Sequence, residues 1–148
     1  MLVSVCIITY KRPEGLKTLL NGINQLTFNK IDTPNIEVIV IDNDLSGSAC
    51  QFCEEIKSDF KWLLKYGIES KRGISHARNR AIASASENTN FIAIIDDDEI
   101  PEVSWLEQLL WVQQEYKADV VSGPVVRHFE EENVPDWLTK IEIFKSQL

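Results

Sequence analysis

The chain has 148 residues, 44% hydrophobic and 26% charged, with a formal net charge of -8. This is an ordinary composition for one globular domain, and it excludes a disordered polymer. The acidic balance argues against non-specific nucleic-acid binding and against a basic membrane-surface patch, while a bound metal would still let a phosphate-bearing ligand approach.

No apolar run is long enough to span a bilayer. The N-terminal run Leu2–Ile8 has no basic region ahead of it and no small-residue cleavage site behind it, so it reads as a strand and not as a signal peptide. Three cysteines argue against a disulfide framework and for a reducing cytoplasm, with peripheral association at the inner face of the membrane left open.

In chain order, residues 2–9 form a first buried strand, rich in β-branched side chains. A loop over 10–15 follows. Pro13 suits a first helical turn, and Leu16, Leu19, Leu20, Ile23 and Leu26 recur at helical spacing. Residues 27–35 are a polar loop with Pro34. A second strand, 36–41, runs straight into Asp42-Asn43-Asp44. Ser46-Gly47-Ser48 offers an N-cap for a helix reaching about Ser58. On that helix Cys50 and Cys53 have the spacing of a redox pair or half a zinc site. Zinc needs about four ligands, and Cys6, His76 and His128 supply no second pair at motif spacing. Glu54 and Glu55 do not favour a thiolate, so the pair reads as structural.

Residues 60–66 are a shorter strand of mixed polarity, placed nearer an edge. After the loop 69–75, Ser75 caps a helix over 76–83, and Asn88-Thr89-Asn90 ends that unit. The apolar run from Phe91 to Ile95 then ends in Asp96-Asp97-Asp98-Glu99 before Pro101. A helix from Ser104 through Val112 follows. Residues 118–126 are expected to form a last strand, interrupted at Gly123-Pro124. Glu130-Glu131-Glu132-Asn133 is a charged loop, and Trp137–Phe144 a final short helix. Strands alternating with helices predict an α/β fold, a mostly parallel sheet with helices on both faces.

The chemistry gathers where strands end. Consecutive carboxylates repel one another unless something neutralises them, and magnesium or manganese prefers such hard oxygen ligands. The plainer alternative is a solvated acidic turn capping the helix near Ser104. In parallel sheets the carboxyl ends of the strands line the ligand crevice. Thr9-Tyr10, Asp42-Asn43 and Asp96-Asp97-Asp98 would then share one rim, suited to a nucleotide diphosphate. A carboxylate can accept the imide hydrogen of a uracil or thymine ring, Tyr10 can pack against the base, and Arg12 and Arg78 can make forked bonds to phosphate. Plainer readings stand beside these: Asp42 as a cap, Tyr10 as a surface aromatic, Arg78 as a solvated helix residue, His76 as structural and Glu130–Glu132 as a solvated loop. A receiver-type signalling domain expects an acidic pair after the first strand, where Thr9-Tyr10-Lys11-Arg12 stands. A nucleotidyltransferase expects a Gly-rich phosphate loop there, where only Gly15 is found.

Four segments appear in order: Val5-Cys6-Ile7-Ile8-Thr9-Tyr10-Lys11-Arg12, Val38-Ile39-Val40-Ile41-Asp42-Asn43, Gly73-Ile74-Ser75-His76-Ala77-Arg78-Asn79 and Ile94-Ile95-Asp96-Asp97-Asp98. Together they resemble the family 2 glycosyltransferases, over roughly residues 2 to 126. The resemblance implies the Rossmann-like GT-A fold and transfer of a sugar from a nucleotide-diphosphate donor, with UDP-sugars favoured and inversion at the anomeric carbon. It implies that Thr9, Tyr10 and Asp42 lie around the base, Arg78 near base or diphosphate, Asp96 and Asp97 near the nucleoside, and that Asp98 binds manganese or magnesium. The acceptor would be a glycan or a lipid-linked one. Lys11 departs from the Asn often found there. The expected division is 1–126 for donor binding and 127–148 for the start of an acceptor region, in a truncated chain. The catalytic base is expected beyond Leu148, with Glu131 and Asp136 as weaker candidates. The alternative reading is a nucleotide-sugar binding module that does not complete transfer.

Overall fold

The structure, a computed structural model, describes residues 1–126. Its elements are β1 (Leu2–Thr9), α1 (Pro13–Asn24), β2 (Asn35–Asp42), α2 (Cys50–Ile56), β3 (Leu63–Ile68), α3 (Ile74–Ala83), β4 (Phe91–Ile94) and α4 (Trp105–Tyr116). The four strands form one parallel sheet in the order β3-β2-β1-β4. The chain therefore adds strands to one side of β1, then crosses over to add β4 on the other. Such a switch in direction opens a crevice between the carboxyl ends of the two strands involved, here β1 and β4.

Side-chain alternation along the strands separates two apolar layers. Val3, Val5 and Ile7 of β1, with Ile36, Val38 and Val40 of β2, pack under Leu16, Leu19, Leu20 and Ile23 of α1 and Leu106 and Leu110 of α4. Cys6, Ile39 and Ile41 face the opposite way, against Ala77 and Ala81 of α3. Helices thus cover both faces of a parallel sheet, as the alternating elements predict. The Cys53 thiol lies buried in the larger layer, and burial pushes it up to about 12. Cys50 is exposed, and all three cysteines are free.

The α3 side also holds a buried charge. Glu37 is 1% exposed. Burial alone would raise its pKa, yet its carboxylate pairs with Lys65 Nζ at 2.7 Å and accepts from Ser4 Oγ at 2.6 Å and from the Ser86 amide and hydroxyl at 2.8 and 2.7 Å. These partners hold the group down at about 2. They tie β1, β2, β3 and the segment leading to β4 together at the amino-terminal half of the sheet.

Several expectations are corrected. Residues 118–126 form no strand: Val120, Val125 and Val126 are 85%, 71% and 69% exposed, and Pro124 offers no N–H. β-branched side chains favour a strand only where a partner and a packing surface exist, and among the described residues none pairs with this segment. β3 starts at Leu63 and not at Phe60, because Trp62 turns inward and donates its Nε1 to Ile23 O at 2.9 Å. α2 begins at Cys50 without a serine cap, since Ser48 Oγ donates to Asp42 instead. α3 begins at Ile74, with Gly73 and not Ser75 at the cap position. Among the described residues no helix is long and apolar enough to cross a membrane.

The Glu37 cluster makes stability depend on pH with a definite sign. The folded carboxyl is depressed from 4.5 to about 2, so its contribution is full above the unfolded value and is lost as pH falls toward the folded one. Urea unfolding followed from about pH 6 to about pH 2.5 will show stability falling through that window. Glu37→Gln will be less stable at neutral pH by about 3–5 kcal/mol and will show a flatter acid limb. An acid limb identical to the parent's would contradict this account.

Candidate functional site

The register between β1 and β4 decides which residues meet. Cys6 lies opposite Ile94, and continuing three residues along parallel strands brings Thr9 level with Asp97. There Thr9 Oγ1 donates to Asp97 Oδ2 at 2.8 Å, with both side chains buried. Arg12, at the start of α1, brings one nitrogen to both neighbouring acids: Nη1 lies 3.2 Å from Asp97 Oδ1 and 2.9 Å from Asp98 Oδ2. Asp97, then Asp98, hold this guanidinium firmly in its charged form. Arg78, on α3, reaches Asp96 Oδ1 from the other side at 2.6 Å. Thr9 and Arg12 are thus bonded through Asp97 and Asp98, and Arg78 bonds the adjacent Asp96, so one three-residue acidic run gathers all of them.

Two glycines that the sequence pattern left unexplained make this network possible. A Cβ on Gly15 would stand 2.6 Å from the Asp97 carbonyl oxygen, and one on Gly22 would stand 2.9 Å from Pro101 Cδ. Seven residues apart, they lie about two helical turns from each other on one side of α1. That side is pressed against the loop that carries the aspartates. The signal was present as a glycine pair at helical spacing inside an otherwise leucine-rich helix.

Asp42 sits lower. It is fully buried, and its carboxylate accepts from the Asp44 amide at 2.9 Å, the Ala49 amide at 2.9 Å, Ser48 Oγ at 3.3 Å and Tyr66 OH at 3.1 Å. In this conformation Asp42 braces the loop between β2 and α2 and presents no oxygen to solvent. The Tyr66 phenol is pushed up, by burial first and by Asp42 second. Next door, Asn43 fastens a second loop: its Nδ2 donates to Glu69 O at 2.8 Å and Lys71 O at 2.9 Å, and its Oδ1 accepts from Gly73 N at 2.8 Å. Gly73 has φ +138, a region in which side chains are strained.

Tyr10 is 38% exposed at the mouth of the crevice. Lys11, in the left-handed region at φ +54, places Nζ 5.5 Å from its ring centroid, and the Arg72 guanidinium carbon lies at 5.0 Å. Arg72 was not legible as a site residue, because it enters only through the loop that Asn43 holds. The mouth thus combines an aromatic face, four cations (Lys11, Arg12, Arg72 and Arg78) and an acidic run.

The carboxylates of Asp96, Asp97 and Asp98 diverge toward Arg78, Thr9 and Arg12, and among the described residues no three acidic, histidine or cysteine side chains converge on one point. The donor chemistry nevertheless fits magnesium or manganese, which is commonly held by one or two carboxylates with phosphate and water completing the shell. Asp98, with its side chain 64% exposed, is the acid most open to such an ion. Glu131 and Asp136, the candidate bases, lie outside the described residues, as do the Glu130–Glu132 loop and the helix expected over Trp137–Phe144.

Comparison with known proteins gives a consistent result. The family model described as Glycosyl transferase family 2 matches residues 4–147. The succinoglycan biosynthesis protein ExoM of Rhizobium meliloti (strain 1021) is 30% identical over 136 residues, covering 92% of this chain and 42% of that protein. The crystal structure of S. aureus TarS 1-349 in complex with UDP matches with a TM-score of 0.70 at 23% identity, a likeness of fold, over 95% of this chain and 40% of that one. The mannosyltransferase PcManGT from Pyrobaculum calidifontis, in complex with GDP-Man and Mn2+, matches with a TM-score of 0.59 at 27% identity, over 84% of this chain and 35% of that one. This chain spans less than half the length of each.

Two substitutions test the geometry of the rim. Asp42→Asn turns an amide toward backbone donors and is expected to cost about 1–3 kcal/mol, read by urea denaturation. An unchanged midpoint would mean that the four bonds to Asp42 carry no stability. Gly15→Ala crowds the Asp97 carbonyl at a cost of about 1–3 kcal/mol, which outweighs the gain of up to about 1 kcal/mol in helix propensity. A more stable Ala variant would show that the seam between α1 and the aspartate loop yields freely.

Proposed function

This chain belongs to glycosyl transferase family 2, and from that membership we propose that it binds the donor for an inverting transfer of sugar from a nucleotide diphosphate, preferably a UDP-sugar, to a glycan or lipid-linked acceptor. The observation that carries this reading is the cluster at the carboxyl ends of β1 and β4, in which Thr9, Arg12 and Arg78 bond the run Asp96-Asp97-Asp98. Residues 1–126 form the donor-binding region, and 127–148 open the acceptor region. The reading is supported by the complex of TarS with UDP and by that of PcManGT with GDP-Man and Mn2+. The succinoglycan biosynthesis named for ExoM favours a polysaccharide acceptor. Use of a nucleotide sugar and three free cysteines favour a cytoplasmic setting.

Each side chain takes a role suited to its surroundings. Tyr10, exposed and flanked by cations, offers its face to the base. Asp42 acts as a positioning residue, through the loop it braces. Thr9 orients the Asp97 carboxylate, and Asp96 and Asp97 approach the nucleoside. Arg12 and Arg78 bond the diphosphate with the forked donors that suit it. Asp98 holds Mn2+ or Mg2+, which when bound supplies Lewis-acid stabilisation of charge on the departing diphosphate.

Calorimetric titration of the folded chain with UDP, with and without Mn2+, tests the reading. Binding is expected to be tighter with Mn2+ and to raise the melting temperature by mass action. Asp98→Asn is expected to lose the Mn2+-dependent part, at least about tenfold in Kd, equivalent to about 1.4 kcal/mol. No heat with UDP in either condition would overturn donor binding. An unchanged response in Asp98→Asn would overturn the metal assignment alone.

A further inference from the structure

The run of three aspartates is already partly neutralised by two cations of its own chain, and one of these stands where a metal would compete. Arg12 Nη1 bridges Asp97 Oδ1 at 3.2 Å and Asp98 Oδ2 at 2.9 Å, so a single nitrogen serves two adjacent carboxylates in the manner of a shared cation. Arg78 covers the third acid, Asp96, at 2.6 Å. Asp98 is the most exposed of the three, and a divalent ion arriving at its Oδ2 meets a guanidinium in hydrogen-bond contact with the same oxygen. Positive charges cannot share that position cheaply, because like charges repel.

The guanidinium is also free to leave. Its side chain is 57% exposed. Both bonds it makes to described residues depart from Nη1. A guanidinium carries five N–H donors in a planar fork, so among the described residues the remaining donors have no partner. A diphosphate offers what the fork prefers, paired oxygens on one centre. Arg12 lies in the turn between β1 and α1, immediately before the first residue of α1, so a change in its side-chain rotamer disturbs neither element.

We infer that Arg12 is the resident counter-ion of Asp97 and Asp98, and that a diphosphate draws it away, so that cation binding at Asp98 waits on the diphosphate. This rests on the assignment of Asp98 proposed above and adds an order to it. A metal alone competes with Arg12 for Asp98. A diphosphate takes up the guanidinium, frees Asp98 Oδ2, and supplies further oxygens to the ion. Because coupling between two ligands is reciprocal, each then tightens the other by the same factor.

The test measures free Mn2+ by electron paramagnetic resonance during titration of the full chain, with the site-specific part defined as that lost in Asp98→Asn. UDP tightens Mn2+ binding in any diphosphate site, so the diagnostic measurement is Mn2+ alone. Arg12→Gln, an exposed substitution, is expected to bind Mn2+ alone at least about fivefold tighter than the parent, with a smaller further gain from UDP. Arg12→Lys keeps the charge without the fork. It is expected to retain weak binding of Mn2+ alone and to show weaker coupling to UDP. If Arg12→Gln binds Mn2+ alone no tighter than the parent, while Asp98→Asn abolishes binding with UDP present, the counter-ion role falls and the Asp98 assignment survives. If Mn2+ does not bind the parent even with UDP, both fall. Should circular dichroism show that Arg12→Gln is unfolded, Arg12→Lys decides: coupling equal to the parent's overturns the inference.

Discussion

The parallel pairing of β1 with β4 constrains everything at the rim. Hydrogen bonds from Val3 opposite Phe91 to Cys6 opposite Ile94 set the register, and the register sets the height at which each strand releases its chain. Thr9 and Asp97 emerge level with one another and bond. A slip of one residue would turn every side chain of β4 to the other face of the sheet. It would carry Asp97 away from Thr9 and Arg12 and leave the acids without their partners. The apolar layers enforce this register from both sides, since Val5 and Ile7 must face α1 while Cys6 faces α3.

Charge is handled differently at the two ends of the sheet. Toward the amino end, Glu37 is enclosed and fully satisfied by Lys65, Ser4 and Ser86. Its burden of desolvation is met locally, and it links three strands. At the carboxyl end the acids are graded from buried Asp97 to exposed Asp98, and their cations come from partly exposed arginines. The first arrangement is a closed structural lock. The second leaves donors and acceptors within reach of a ligand, which is why the site belongs at this end.

Much of this was legible in the residues. The buried strands 2–9 and 36–41 are rich in β-branched residues, and their length and flanking polar residues place them to within a residue. Leu16, Leu19, Leu20 and Ile23 mark α1 by spacing alone. The acids after β4 stand out because an apolar run of strand length ends abruptly in them, although the buried strand such a run predicts is an edge strand of the described sheet with Ile92 and Ile94 exposed. What stayed hidden is what depends on contact. The bonds of Asp42 to Ala49 and Tyr66 require the fold of two later segments. Arg72 joins the mouth only through the hold of Asn43 on its loop. Residues 118–126 are rich in β-branched side chains and form no strand, because preference supplies no partner.

The two glycines of α1 have a mechanical consequence. Where side chains interdigitate, a helix can shift by exchanging rotamers, one contact at a time. At Gly15 and Gly22 there is no side chain to exchange rotamers, and backbone meets backbone and proline ring. Helix and aspartate loop are therefore spaced by backbone and ring at these two points, while the opposite lip is held by three bonds from one asparagine side chain to residues 69–73.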